Sequence, residues 1–182
     1  MMLSRRRLLA AGGGFLAGSL APPLRAAEPA IVEIRMRSDA QGGHVGFDPV
    51  GILVAAGQTI RWRCQENVHT TTAYHPDNDK HSLRIPEGAK PWDSGFLLPG
   101  ESFDLTLSVE GVYDYYCRPH EQAGMVGRII VGRAAGPGSL AFDYFSGRPD
   151  ASGWIPVPEA AQKAFPAIAE IMQRRIVPGM SP

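Results

Sequence analysis

The run Asp114-Tyr-Tyr-Cys117-Arg-Pro-His120-Glu-Gln-Ala-Gly-Met125-Val-Gly-Arg-Ile129 constrains this chain more than any other stretch. It puts a thiol, an imidazole and a thioether into one short loop with the spacing Cys-x2-His-x4-Met, between two strand-like runs. These are soft or borderline donors, the set that suits a copper ion cycling between Cu(I) and Cu(II) rather than oxygen-seeking calcium or magnesium. A blue-copper site takes two histidines and one cysteine with a weak methionine, so a second histidine must come from elsewhere in the chain. His69 is the candidate.

Two plainer readings compete with this one. Cys64 and Cys117 are the only cysteines, and in an oxidising compartment they would suit a disulfide. One thiolate and two imidazoles would also satisfy tetrahedral zinc. Thioether is an unusual zinc ligand, so Met125 argues for copper.

Cys117-Arg-Pro-His120-Glu-Gln-Ala-Gly-Met125-Val-Gly resembles the ligand loop of plastocyanins and pseudoazurins, small cupredoxins that carry electrons. The approach Gly111 to Cys117 and the exit Val126 to Val131 resemble the last two strands of that family, and a looser match runs from about Ile31 to Gly132. Carried across by position, the resemblance implies that His69, Cys117, His120 and Met125 are the copper ligands. It also exposes a departure. The residue after the first ligand histidine is usually an asparagine whose amides brace the two ligand loops, and here it is Thr70, whose hydroxyl is able to bond across in a similar way. Such outer contacts orient ligands and tune the metal. Pro119 lacks an N–H, which removes one possible hydrogen bond to the Cys117 thiolate.

The chain opens with Ser4-Arg-Arg-Arg-Leu-Leu and a Gly- and Ala-rich apolar run, then small residues near Ala26 and Ala27. A positive start, a short apolar stretch and a small-residue cleavage site predict an export signal over residues 1–27 rather than a membrane span, which needs about 20 apolar residues. The paired arginines before Leu8 and Leu9 resemble a twin-arginine signal, the alternative being an ordinary secretory one. Removing that segment takes away Arg5, Arg6, Arg7 and Arg25 and no acidic residue, which leaves 14 basic against 18 acidic side chains. Nucleic acid is therefore not expected as a partner, because neutralising phosphates needs clustered Lys and Arg.

Alternation of apolar and polar residues predicts strands at Ile31–Arg37, Phe47–Val54, Thr59–Gln65, Phe103–Val109, Val112–Cys117 and Ile129–Val131, with Pro49 marking an edge or a bulge. In Thr59–Gln65 the period puts Ile60, Trp62 and Cys64 on one face, so Cys64 is expected in the core as a small hydrophobe. From His75 to Pro99 the pattern dissolves into a long loop, with one short strand near Phe96 and with His75 and His81 as solvated loop histidines. About seven strands separated by turn signals predict an all-β, Greek-key sandwich.

Beyond Gly132 the resemblance stops. Ala134–Ser139 reads as a linker, and Leu140, Phe142, Tyr144 and Phe145 are placed to lie back on the sandwich. Glu159 to Ile176 has helical spacing at Ala161, Phe165, Ile168 and Met172, and Pro166 inside it predicts a kink or a fresh helix start. This organisation implies a signal (1–27), a cupredoxin domain (28–132) and a partly helical C-terminal extension (133–182), expected to pack rather than to dock a partner.

The function expected from these readings is a soluble, monomeric type 1 copper protein, with one copper per chain, that carries single electrons between redox partner proteins. Its place would be the periplasm or the cell exterior, without stable membrane insertion. A protein that stores or delivers copper is the alternative. Catalysis is not expected, because a multicopper oxidase needs many more than the five histidines present.

Overall fold

Nine strands in two sheets make up the core of residues 31–39 and 41–179, the part of the chain that the computed structural model describes. One sheet has the order β2 (Val45–Asp48), β1 (Val32–Ser38), β4 (Gln58–Cys64), β6 (Ser102–Leu107). The other runs β5 (Thr72–Ala73), β7 (Gly111–Tyr116), β8 (Val126–Val131), β3 (Gly51–Val54), β9 (Ile176–Val177). β1 lies parallel to β4 and β3 parallel to β8, and the remaining pairs are antiparallel. The architecture is the expected β-sandwich with non-sequential strand neighbours. The expected export signal lies outside the described residues.

The single strand expected over Phe47–Val54 is two. β2 belongs to one sheet and β3 to the other, and the chain crosses between them at Pro49-Val50, because proline has no N–H to continue a ladder. Between the sheets, Ile60, Trp62 and Cys64 are fully buried, as their alternation predicts, together with Ile34, Met36 and Tyr115. The Trp62 ring centroid lies 5.4 Å from that of Tyr115 and 5.7 Å from that of Trp92. Gly127 permits this packing, since a Cβ there would run into the Tyr115 ring.

β7 and β8 are buried at every position, which alternation alone would not produce. Tyr113, Tyr115, Ile129 and Val131 face the inner core, while Val112, Tyr116, Val126 and Ile130 face outward under the C-terminal segment. That segment carries helices α1 (Glu159–Ala164) and α2 (Ile168–Arg174), and Pro166 falls between them. Phe165 is forced into an extended conformation, as a residue preceding proline tends to be. Ala161 packs with Tyr74, Tyr116 and Val126, and Ile171 with Val112, Ile130 and Val177. Phe142 packs against the first of these groups, but Leu140 stays 49% exposed.

Two features of the loop between β5 and β6 differ from expectation. There is no strand near Phe96; instead Leu97 forms a lone bridge with His69, Asp93 one with Thr72, and Phe96 is exposed. His81 is not solvated. Its side chain is only 7% exposed, and its backbone bridges Ile155 of the C-terminal segment. His75 is half-buried, and its Nδ1 accepts the Asp77 N–H at 3.1 Å.

The extension is fastened by a buried ion triad. Asp114, on the outer face of β7, accepts Arg128 Nε at 2.7 Å and Arg84 Nε at 3.0 Å, and all three side chains are at least nine-tenths buried. Arg128 Nη2 also donates to Asp114, at 2.9 Å, and further guanidinium N–H groups reach the extension: Arg84 donates to the Gly138 and Leu140 carbonyls at 2.8 and 2.9 Å, and Arg128 Nη1 to the Pro166 carbonyl at 2.9 Å. Phe142 and Phe165 lie against the two guanidinium groups, 4.4 and 4.8 Å from centroid to carbon. Two cations share one anion here, so removing the anion leaves both uncompensated in a dry environment. Asp114→Asn is therefore expected to lower the unfolding free energy by about 3–5 kcal/mol. Asp104→Asn, which breaks the exposed Arg61 pair, is expected to change it little. Urea unfolding of the two variants checks this, and equal effects would contradict it.

Candidate metal centre

Cys117 follows β7 in extended conformation and opens a 3-10 turn, Arg118–Ala123, that carries His120. Gly124 ends the turn at φ 82, a left-handed conformation suited to glycine, and an added Cβ would sit 3.2 Å from the Cβ of Ala164. The loop closes on itself at its base, where the Cys117 N–H donates to the Met125 carbonyl at 3.0 Å and the Met125 N–H to the His120 carbonyl at 3.1 Å. Spacing thus becomes geometry: Met125, fully buried, returns to the level of Cys117 as β8 begins.

His69 arrives from the end of β4 and is held by reciprocal backbone hydrogen bonds with Leu97 at 3.2 and 2.8 Å. Its Nδ1 lies 3.6 Å from Cys117 Sγ, and His120 Nδ1 lies 3.4 Å from the same sulfur. The three donor atoms all fall within 4.8 Å of one another. No carboxylate belongs to that group, and both cysteine thiols are free, so the disulfide reading is set aside. Cys64 sits in the core with its sulfur donating to the Asn67 carbonyl at 3.4 Å.

Thr70 ties the two ligand segments together. Its N–H donates to Cys117 Sγ at 3.3 Å, and its hydroxyl oxygen accepts the Arg118 N–H at 2.9 Å. That leaves its own proton for Thr72 Oγ1 at 3.0 Å, which in turn donates to Asp93 Oδ1 at 3.0 Å. Asp93 also receives the Arg118 guanidinium at 2.8 Å, so the chain of bonds closes into a ring. The threonine does bond across, as expected of its hydroxyl.

Ser38 was not singled out by sequence, yet its Oγ lies 3.0 Å from His69 Nε2 and is placed to accept that N–H, leaving Nδ1 free as a ligand. The signal was available. Ser38 continues the inward alternation of Ile34 and Met36, and a polar residue on a buried face needs a partner.

The edge of His120 reaches the surface beside exposed Pro119, but Val126 is 1% exposed under the extension and adds nothing there. Val68, Phe96 and Leu98, which flank the His69–Leu97 bridge, are exposed. The antiparallel bridge of His69 with Leu97 sets Val68 opposite Leu98.

A family model described as copper binding proteins, plastocyanin/azurin family, matches residues 34–132. A chloroplastic plastocyanin from Hordeum vulgare is 30% identical over 132 residues, which cover 70% of this chain and 84% of the relative. A plastocyanin from Solanum crispum is 29% identical over 100 residues, covering 55% of this chain and 99% of the relative. Among solved structures, pseudoazurin from Methylobacterium extorquens AM1 superposes with a TM-score of 0.53 at 21% identity, covering 74% of this chain and 92% of that one, and so shares the fold. The donors present fit copper: one thiol and two imidazole nitrogens converge in a largely buried site, with a thioether on the same loop.

Burial pushes the Cys117 thiol up to about 11, against the pull of the Thr70 N–H. Burial first, and then the charge of His120, hold His69 down at about 4; burial also lowers His120. At neutral pH the metal-free site is then a protonated thiol beside two neutral imidazoles, and an entering metal displaces one proton, from Cys117. Affinity for a Co(II) probe is expected to rise about tenfold per pH unit from about pH 7 to about pH 9. A flat profile in a spectrophotometric titration would mean that the thiol is already ionised. His69 is neutral when folded and titrates from its ordinary 6.5 when unfolded, so the unfolded chain binds more protons between 6.5 and about 4. The metal-free protein therefore loses stability as pH falls through that window, which urea midpoints measured across it would register.

Proposed function

Since this chain belongs to the plastocyanin/azurin family of copper-binding proteins, we propose that His69, Cys117 and His120 hold its single copper ion, with Met125 as the weak fourth ligand, and that the protein is a blue-copper electron carrier. The observation that carries this is the convergence of His69 Nδ1, Cys117 Sγ and His120 Nδ1 within 4.8 Å of one another. Bound copper supplies a one-electron couple. The chain's own residues do the rest. Thr70, Ser38 and the closed loop hold the donors in place, so that little rearrangement accompanies a change of charge.

The partly exposed edge of His120 is the route by which an electron leaves. Val68, Phe96, Leu98 and Pro119 supply apolar area nearby, suited to brief contact with a redox partner, since weak electron-transfer encounters bury little surface. Residues 28–132 are the copper domain and residues 133–182 its C-terminal extension, whose described part, 133–179, packs on it. The arginine-led segment 1–27 directs the protein out of the cytoplasm by a twin-arginine route, and it acts there as a soluble monomer, as a carrier rather than a catalyst. Among the described residues no helix is long and apolar enough to cross a membrane.

The copper-loaded protein is expected to show an intense visible thiolate-to-copper band that Cys117→Ser abolishes and Cys64→Ser leaves in place. Met125→Leu should retain copper and shift the reduction potential. His69→Ala should weaken binding by more than about 100-fold, beyond what an outer contact is worth. Equal copper loss from both variants would contradict this ranking of the ligands. Stopped-flow mixing with a redox partner should show rapid electron exchange with copper retained. Stoichiometric loss of copper to an acceptor protein, without electron exchange, would replace the carrier reading with metal delivery.

A further inference from the structure

We infer that Glu121 is a positioning residue for His120, and that the C-terminal extension acts on the copper centre through it; the inference rests on the copper reading of the site given above. Glu121 directly follows His120 in the 3-10 turn, yet its side chain is turned inward and only 11% exposed. A buried carboxylate is costly unless hydrogen-bonded. Its Oε1 accepts the Tyr74 hydroxyl at 2.7 Å, and its Oε2 lies 3.4 Å from His81 Nε2. Both partners belong to the loop between β5 and β6, far from the turn in sequence.

Those partners are themselves held by the extension. Tyr74 is fully buried, lies tilted against Tyr116 at 4.5 Å between centroids and meets Phe165 at 6.0 Å. His81 is enclosed where the Ser82 N–H donates to the Ile155 carbonyl at 2.9 Å and the Ile155 N–H to the Lys80 carbonyl at 2.7 Å. Val157 and Ala161 complete the wall around Tyr74, and α1 passes over Gly124.

The turn that carries His120 has weak internal support. It is a six-residue 3-10 segment, longer than such turns usually run; its N-cap residue Cys117 makes no cap bond of its own, and the first N–H, of Arg118, is taken from outside the turn by Thr70. His120 must keep Nδ1 facing Cys117 Sγ while its ring edge is open to solvent, so the ring goes where the turn goes. Glu121 fixes the turn from the inside, at the one residue where its side chain can reach the Tyr74 and His81 wall. Lys163, on the outer side of α1, is paired only with exposed Glu159 and takes no part.

Tyr74→Phe tests this, because it removes the hydroxyl and keeps the ring. In the metal-free variant the Gly124 and Met125 amides should exchange roughly tenfold faster than in the wild type, the effect of losing one buried hydrogen bond. In the copper-loaded variant one copper should remain bound, while the visible and electron spin resonance signatures and the reduction potential move. Glu121→Gln, which keeps an acceptor oxygen for Tyr74, should retain most of the exchange protection, and Lys163→Ala should match the wild type throughout. If Tyr74→Phe lowers the unfolding midpoint but leaves amide exchange, spectrum and potential as in the wild type, Glu121 is a packing residue only and the inference is overturned. Failure of the copper reading would show differently, as a wild-type protein without a thiolate-to-copper band, and the metal-free exchange arm would still decide the role of Glu121.

Discussion

The reciprocal link between Thr70 and the Cys117 segment is the contact on which the site depends. A sulfur and two ring nitrogens cannot be held together by their own attraction before a metal arrives; they stay together because the chain ends that carry them are tied. The Thr70 N–H on the sulfur and the Arg118 N–H on the Thr70 hydroxyl make that tie across 47 and 48 residues of sequence. The remaining bonds, through Thr72 and Asp93 back to the Arg118 guanidinium, keep the threonine in the one rotamer that serves both. A site arranged in advance in this way changes little when its charge changes, which is what fast one-electron transfer asks of a protein.

The sandwich supplies the fixed frame, and the C-terminal segment adds a second layer over one face of it. β7 and β8 leave the inner core fully packed and still present Val112, Tyr116, Val126 and Ile130 on their outer side. Covering that side buries apolar area, and it also buries Asp114 between Arg84 and Arg128. An ion group of this kind is weak evidence for stability by itself. Its value here is directional. The spare guanidinium N–H groups take carbonyls at Gly138, Leu140 and Pro166, so the triad fixes where both parts of the extension lie. Helix α1 then comes to rest over Gly124 and Tyr74, beside the metal centre, while α2 lies on Val112 and Ile130.

Where the cause is local, residue pattern and structure agree. Alternation placed Ile60, Trp62 and Cys64 inward, and Pro166 divided the helical stretch, because period and backbone restriction act within a few residues. Pattern and structure part where a distant segment decides the outcome. His81 looked like a solvated loop residue and is buried, because Ile155 closes over it. The run from Phe47 to Val54 looked like one strand and is two, since only the assembled sheets show that its halves belong to different layers.

The sequence by itself carried the candidate donors and determined the fold class, because both are written at short range: Cys117, His120 and Met125 share one loop, and strand periodicity repeats along the chain. It also pointed to His69, through the chemistry of a site still short of one imidazole. Tertiary structure alone decided what surrounds those donors. Ser38 on His69, Thr70 on the sulfur, Tyr74 on Glu121 and two arginines on Asp114 are pairings between residues 14 to 47 positions apart. Nothing in the local pattern of either partner names the other, and such pairs come into being only when packing brings two buried polar groups to a place where neither can turn back to water.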